Sequence, residues 1–122
     1  MFFNLMPWDL PAAYTPAELV FRAGRWRTIK NGSEWSATGL YIFVRMNSRF
    51  YVCKANLRIG GVDHIEVSQG RPVDYAGEIG FAGRKRRGVL RFWNNASGHY
   101  RPAMSAADDA KLPMELFMAH ED

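Results

Sequence analysis

The segment that constrains the fold most strongly is LYIFVRMNSRFYVCKA, residues 40–55. It contains two runs rich in aromatic and β-branched side chains, which favour extended strands. Asn47 and Ser48 separate the two runs. Because a two-residue polar break between two such runs is typical of a tight turn, the segment predicts a β-hairpin. The core is therefore expected to be built on antiparallel strands.

Three later segments also have the composition of strands: VDHIEV at 62–67, VDYAGEIGF at 73–81 and GVLRFW at 88–93. The segment AGRKRRG joins the last two and predicts a second hairpin, with Lys85 and Arg86 at its tip. In that register Glu78 lies opposite a residue within 91–93. A bulge at the neighbouring glycines would decide which residue it is.

Helical signals flank these strands. Thr15 is suited to cap a helix and Pro16 to begin it, so a helix is predicted over 16–22. The sequence SAAD at 105–108 resembles a capping box with Asp in place of Glu. It predicts a second helix over 106–112.

Strands bracketed by terminal helices indicate an α+β protein with a single antiparallel β-sheet of about five strands and short N- and C-terminal helices. A length of 122 residues suits one domain. We divide it into an N-terminal arm and helix at 1–38, a sheet module at 39–102 and a C-terminal helix at 103–122.

The composition excludes several classes of protein. A hydrophobic fraction of 48% excludes intrinsic disorder, and no apolar run approaches the roughly 18 residues of a membrane span. Cys53 is the single cysteine, so an intrachain disulfide is excluded, and its apolar surroundings predict an inert, buried thiol. We expect the chain in the cytoplasm, or delivered into a target cell by a non-classical secretion route.

The positive charge is concentrated in one place. The formal net charge is +4, and four consecutive basic residues, Arg84, Lys85, Arg86 and Arg87, equal that excess. We call them the basic run. Such a run is typical of a solvated hairpin tip, and it also suits binding to the phosphates of RNA beside an RNA site. RNA and a protein are the two partners that we consider.

Four residues on the predicted strands and the loop after them suit acid–base chemistry: His64, Glu78, Arg91 and His99. RNA cleavage through a 2′,3′-cyclic intermediate needs a base for the 2′-hydroxyl proton, an acid for the leaving 5′-oxygen and a cation for the phosphate. The order His, Glu, Arg, His resembles that of the guanyl-specific fungal ribonucleases. The other interpretation of His64 is a histidine on the solvent side of an amphipathic strand.

The loop NNASGHYRP, residues 94–102, has two interpretations. In the first, His99 moves a proton and Arg101 binds phosphate. In the second, the loop is a structural corner in which Ser97 caps backbone groups and Tyr100 packs its ring inward. A corner of this kind would present Tyr100 and Arg101 to a protein partner.

A broader likeness covers HIEVSQGRPVDYAGEI, GVLRFWNNASGHYRP and the hairpin before them. This region resembles the C-terminal region of plant IQ-motif calmodulin-binding proteins, and it is similar to C-terminal domains of bacterial polymorphic toxins and secreted effectors. The positions that carry the resemblance include His64, Glu78 and the SGHYRP string at 97–102. No counterpart of the calmodulin-binding IQ motif is present in this chain, so calmodulin binding is not implied.

Two functions are therefore predicted. The first is an effector- or toxin-type domain that cleaves RNA by acid–base chemistry. The second is a non-catalytic protein-interaction module in which SGHYRP forms a rigid corner. A metal site needs more ligands than His64, His99 and scattered carboxylates, and the sequence has no cofactor motif, so we expect no metal and no cofactor.

Overall fold

A computed structural model describes residues 1–119 of the chain. That part of the chain forms one sheet of seven antiparallel strands in the order β3-β2-β1-β5-β4-β6-β7. The strands are β1 (Ala17–Arg22), β2 (Arg25–Lys30), β3 (Ser33–Ser36), β4 (Gly39–Met46), β5 (Arg49–Lys54), β6 (Tyr75–Phe81) and β7 (Leu90–Trp93). The helix α1 (His64–Ser68) is short. Four 3₁₀ segments lie at Ala55–Gly60, Arg84–Arg86, Met104–Ala110 and Met114–Leu116.

The predicted central hairpin is confirmed. Strands β4 and β5 pair from Tyr41 with Lys54 down to Met46 with Arg49. The two turn residues, Asn47 and Ser48, have φ angles of 54° and 61°. A two-residue hairpin turn with both φ angles positive matches the right-handed twist of the flanking strands.

The predicted α+β class and single antiparallel sheet are confirmed, but the count of about five strands is wrong because the first third of the chain adds three. The helix predicted over 16–22 is strand β1, which pairs with both β2 and β5. Pairing on two sides outweighs the helix-start signal at Pro16. Ala23 with Gly24, and Asn31 with Gly32, turn the chain with positive φ angles and so join β1 to β2 and β2 to β3.

The segment VDHIEV, predicted to be a strand, is helix α1. Asp63 caps this helix: its carboxylate accepts a hydrogen bond from the His64 amide, and Glu66 accepts one from the Asp63 amide at 2.8 Å. These reciprocal bonds form a capping box. The box fixes the start of the helix more strongly than the alternating pattern of the segment favours a strand.

The second hairpin is confirmed in outline, but its register differs from the prediction. Ile79 pairs with Trp93, and a bulge follows at Gly80 and Phe81. Glu78 therefore lies opposite Asn94, whose amide donates to the Glu78 carbonyl at 2.9 Å. The prediction of a partner within 91–93 is wrong by one residue.

Both faces of the sheet are covered. On one face, Phe43, Tyr75 and Trp93 pack with the segment Met104–Ala110, which replaces the helix predicted over 106–112. On the other face, Ile42 and Ala76 pack against α1 and the loop that contains SGHYRP. Residues 120–122 of the predicted C-terminal helix at 103–122 lie outside the described residues. No helix within residues 1–119 has the length and apolar character that crossing a membrane requires.

Cys53 belongs to the second of these apolar clusters and is buried, as predicted. Burial raises the pKa of its thiol to about 12. The side chain is therefore a neutral thiol at physiological pH, and the prediction that it is inert agrees with its surroundings.

The central turn offers a test of the fold. We expect Ser48→Gly to raise the free energy of unfolding by about 0.5–1 kcal/mol, because glycine adopts a positive φ without the steric cost that serine has there. The matched control is Ser33→Gly in the exposed strand β3, which should lower it by a similar amount. Urea denaturation of the three proteins measures both changes, and a destabilising Ser48→Gly would contradict the geometry of the turn.

Candidate functional site

A polar cleft opens where β6, the segment Ala55–Gly60, the start of α1 and the loop 94–102 meet. Its volume is about 370 Å³. We call it the Glu78 cleft. Residues that are far apart in sequence line it: Arg58, Asp63, Glu78, Ala96, Ser97, Gly98 and Arg101.

Glu78 is held in place from two sides. One carboxylate oxygen accepts from Arg58 Nη1 at 3.0 Å, and the other accepts from Asn94 Nδ2 at 3.0 Å. The Asn94 side-chain oxygen in turn accepts from the Glu78 amide at 2.8 Å and from the Ala96 amide at 3.0 Å. The Glu78 side chain remains 20% exposed, so its carboxylate is both oriented and accessible from the cleft.

Arg58 links the two carboxylates of the cleft. Its Nε lies 3.5 Å from Asp63 Oδ1, while its Nη1 contacts Glu78. Burial by itself would raise the pKa of the Asp63 carboxyl. Hydrogen bonds from His64 and the positive charges of His64 and Arg58 outweigh that effect and lower the pKa to about 2. Asp63 is therefore ionised at physiological pH.

His64 lies behind the cleft and is fully buried. Its Nε2 lies 2.7 Å from the Gly77 carbonyl oxygen, and its Nδ1 lies 3.0 Å from Asp63 Oδ1. Both partners are acceptors, so both contacts are satisfied as hydrogen bonds when the ring is the doubly protonated imidazolium. The ring thus fastens α1 to β6.

Gly77 allows the loop 94–102, which forms one wall of the cleft, to lie close against β6. A Cβ atom at this position would lie 1.8 Å from the Asn94 carbonyl oxygen, a distance at which the backbone would have to move. Glycine therefore permits the loop to cross directly over β6. That crossing brings Asn94 into reach of Glu78.

The SGHYRP string is tied to the body of the protein through its tyrosine. Tyr100 is buried, and its hydroxyl donates to the Arg71 carbonyl at 2.6 Å. Because that hydroxyl has one proton, Ser68 Oγ is the donor in their contact of 2.6 Å. Burial raises the pKa of Tyr100. These bonds join the loop to the end of α1.

His99 fastens a different part of the chain. Its Nε2 lies 2.7 Å from Asp9 Oδ2, and its carbonyl accepts from the Leu5 amide at 2.7 Å. Both contacts are to the N-terminal arm. His99 is buried and does not line the Glu78 cleft.

The structure thus separates the four residues of the predicted catalytic set. Glu78 lines the cleft. His64 is buried behind the cleft, where it joins α1 to β6, and His99 bonds to the N-terminal arm. Arg91 is exposed and lines another depression together with Arg86. The prediction that two imidazoles face one substrate is therefore not met by this geometry.

The predicted binding residues are also distributed over several places. Ser97 and Arg101 line the cleft, whereas the burial of Tyr100 leaves no surface that it could present to a partner. The predicted inward packing of the Tyr100 ring is thus confirmed, whereas its predicted presentation to a protein partner is wrong. The basic run is exposed; Arg84 to Arg86 form a 3₁₀ turn, and Arg87 lines a separate groove.

Three functional residues escaped the sequence analysis: Arg58, Asp63 and Asn94. Arg58 lies in the 3₁₀ segment Ala55–Gly60, between the predicted hairpin and the predicted strand at 62–67. The spacing of Asp63 and Glu66 matches a capping box and could have placed a helix start, with its carboxylate, at the cleft.

Chemically, the cleft combines two carboxylates, those of Glu78 and Asp63, with two guanidinium groups, those of Arg58 and Arg101. A carboxylate of this kind can accept a proton, and guanidinium groups suit the binding of phosphate or carboxylate. Among residues 1–119, no group of three or more His, Cys, Asp or Glu side chains lies close enough together to hold a metal ion.

The ionised state of Asp63 predicts how stability depends on pH. Its pKa of about 2 in the fold lies below the ordinary value of 3.8, so its contribution to stability is fully present above about pH 4 and is lost as the pH falls towards 2. Asp63→Asn should be less stable at pH 6 and should lose less stability on acidification. Thermal melts from pH 6 to pH 2 measure this; the exposed Asp108→Asn is the control and should keep the wild-type profile.

The buried tyrosine gives a second test. We expect Tyr100→Phe to lower the free energy of unfolding by about 1–3 kcal/mol, because Ser68 Oγ and the Arg71 carbonyl would lose a buried partner. Tyr51→Phe is the control, since Tyr51 is half-buried and lies outside this network. Chemical denaturation measures both changes, and equal effects would show that the Tyr100 hydroxyl has no special role.

Comparison of the chain with protein-family models, with curated proteins and with solved structures found no match. The resemblance carried by residues 39–102 therefore stays a prediction.

Proposed function

We propose that the chain is a general acid–base enzyme whose active centre is the Glu78 cleft, and that its substrate is RNA. One observation carries this proposal: the Glu78 carboxylate is oriented by Asn94 and Arg58 at the surface of a cleft that also contains Arg101. The two donors fix the carboxylate while leaving it accessible, and a general base must be held within reach of the proton that it accepts.

In this proposal Glu78 accepts the proton of a ribose 2′-hydroxyl. The 2′-oxygen then forms a bond to the neighbouring phosphorus, and the bond from phosphorus to the 5′-oxygen breaks. Arg58 and Arg101 stabilise the negative charge on the phosphate oxygens. The leaving 5′-oxygen takes its proton from solvent in the open cleft, and the products are a 2′,3′-cyclic phosphate and a 5′-hydroxyl.

His64 and His99 are positioning residues in this mechanism. His64 holds Asp63 and the Gly77 carbonyl, and so sets the distance between α1 and β6. His99 holds the N-terminal arm against the loop whose Ser97 and Arg101 line the cleft. The net charge of +4 supports an anionic substrate. The effector or toxin setting that the resemblance implies is part of the same proposal.

A second candidate function is the non-catalytic interaction module. The observation that favours it is the set of bonds around His99 and Tyr100, which makes SGHYRP a rigid corner without any substrate. Arg101 is exposed at that corner and is the side chain that a protein partner would contact. In this version the cleft is a recognition surface and Glu78 orients Arg58.

The decisive experiment compares wild type with Glu78→Gln on a labelled single-stranded oligoribonucleotide and on DNA of the same sequence. We expect wild type to cleave the RNA and leave the DNA intact, because DNA has no 2′-hydroxyl. Glu78→Gln should cleave about 10²- to 10⁴-fold more slowly, the usual contribution of a positioned base. The rate of appearance of cyclic-phosphate ends is the measurement.

Glu34→Gln is the matched control for Glu78→Gln, and Arg91→Gln is the matched control for Arg101→Gln. Glu34→Gln removes a carboxylate on strand β3, outside the cleft, and should leave the rate unchanged. Arg101→Gln should slow cleavage, whereas Arg91→Gln should not, because Arg101 lines the cleft and Arg91 does not. Equal rates for wild type and a folded Glu78→Gln would overturn the proposal, and the absence of cleavage by folded wild type would favour the interaction module.

A further inference from the structure

A second and larger concavity opens on the opposite face of the sheet from the Glu78 cleft, and the segment Ala55–Gly60 contributes to both. Its volume is about 510 Å³, within the range of small-ligand sites. Leu57 lines this concavity, and the next residue, Arg58, lines the cleft. We call it the cationic groove; the side chains that define it are Lys30, Lys54, Arg87, Tyr14, Trp35 and Tyr41.

The charge of the groove has one sign. Three cationic side chains line it, and no Asp or Glu within residues 1–119 is among its lining residues. Lys30 Nζ lies 4.9 Å from the centre of the Tyr14 ring, and Lys54 Nζ lies 4.4 Å from that of Tyr41. Aromatic faces hold both ammonium groups without neutralising them. The groove therefore favours an anionic ligand.

The groove also offers a flat apolar surface. Trp35 lies in β3 directly across from Thr28 of β2, and its side chain is 70% exposed. An exposed indole contributes little to the core. Beside several cations, an exposed indole is the arrangement by which proteins stack the bases of single-stranded nucleic acids.

We propose that the cationic groove binds a nucleotide of single-stranded RNA, with its base against Trp35 and its phosphates at Lys54 and Arg87. This inference rests on the proposed function in one respect: the nucleotide belongs to the RNA that is the substrate of the Glu78 cleft. The groove opens on the face of the sheet that carries Tyr41, and the cleft opens on the opposite face, which carries Glu78. The segment Ala55–Gly60 borders both sites through Leu57 and Arg58. Arg87 connects the basic run of the sequence with this groove.

An acidic peptide would satisfy the three cations as well, but it would leave the indole without a planar partner. Binding to Trp35 therefore distinguishes the two ligands. Base stacking is worth about 1–3 kcal/mol per base, and its loss corresponds to a weakening of binding on the order of tenfold.

The test measures fluorescence anisotropy of a labelled single-stranded oligoribonucleotide with the Glu78→Gln protein, so that cleavage does not interfere. In that background, the further substitution Trp35→Ala should weaken binding on the order of tenfold. The matched control is Trp8→Ala in the same background, because Trp8 is 76% exposed and does not line the groove. This substitution should leave binding unchanged.

A salt titration tests the cations. Arg87→Gln should reduce the slope of log K against log salt by about 0.7, the value for one phosphate contact on a single strand. Lys85→Gln removes the same charge two residues away, outside the groove, and should change the slope less.

Equal affinities for the two tryptophan variants would overturn the assignment, as would full competition by an acidic peptide of the same net charge. Cleavage and binding fail separately. Trp35-dependent binding without RNA cleavage by wild type would retain the groove and refute the proposed enzyme. Cleavage without Trp35-dependent binding would retain the proposed enzyme and refute the assignment of the groove.

Discussion

The contact on which the rest of the site depends is the buried imidazole of His64. It spans from the Asp63 carboxylate at the start of α1 to the Gly77 carbonyl on β6. The contact to Gly77 is buried and the contact to Asp63 is partly buried, and an unpaired polar group on the buried ring would be costly. The ring thereby fixes the distance between α1 and the sheet. That distance sets the position of Asp63, and through Asp63 that of Arg58.

A second set of contacts closes the cleft from the opposite side. Gly77 lets the chain at Asn94 cross directly over β6, and Asn94 then exchanges hydrogen bonds with the backbone and the carboxylate of Glu78. Tyr100 joins the same loop to the end of α1. Helix, strand and loop are therefore held to one another by buried polar bonds, which tolerate little change in geometry.

The central hairpin could be predicted from sequence because its turn residues and its two apolar runs both indicate the same structure. The same logic applied to Asn31 and Gly32 would have found β2 and β3, but the runs that flank this pair, RWRTIK and SEWS, are more polar than those of the central hairpin. Strand β1 was harder to predict, because its pairing with β5 joins residues that are far apart in the chain. Tertiary pairing of that kind overrides a local helix signal.

Only part of the site was predictable from sequence, and the roles of its residues were not. Glu78, Ser97 and Arg101 were chosen for their chemistry and do line the cleft. The two histidines were chosen on the same grounds, yet each uses its ring to hold backbone or carboxylate groups. Residue type alone does not tell a buried histidine from an exposed one, and the register error at Glu78 concealed its pairing with Asn94.

The bond between Asp9 and His99 has a consequence for synthesis of the protein. The two residues are separated by 90 positions, so the N-terminal arm leaves the ribosome long before its partner exists. Strands β1 to β5 pair mainly with neighbours in the chain, and they can form meanwhile. The arm also pairs with Val73 through Phe2, but its bond to His99 forms only after residue 99 has emerged, so this contact with the wall of the cleft forms late. A nascent chain would thus have a formed sheet before it has a formed cleft.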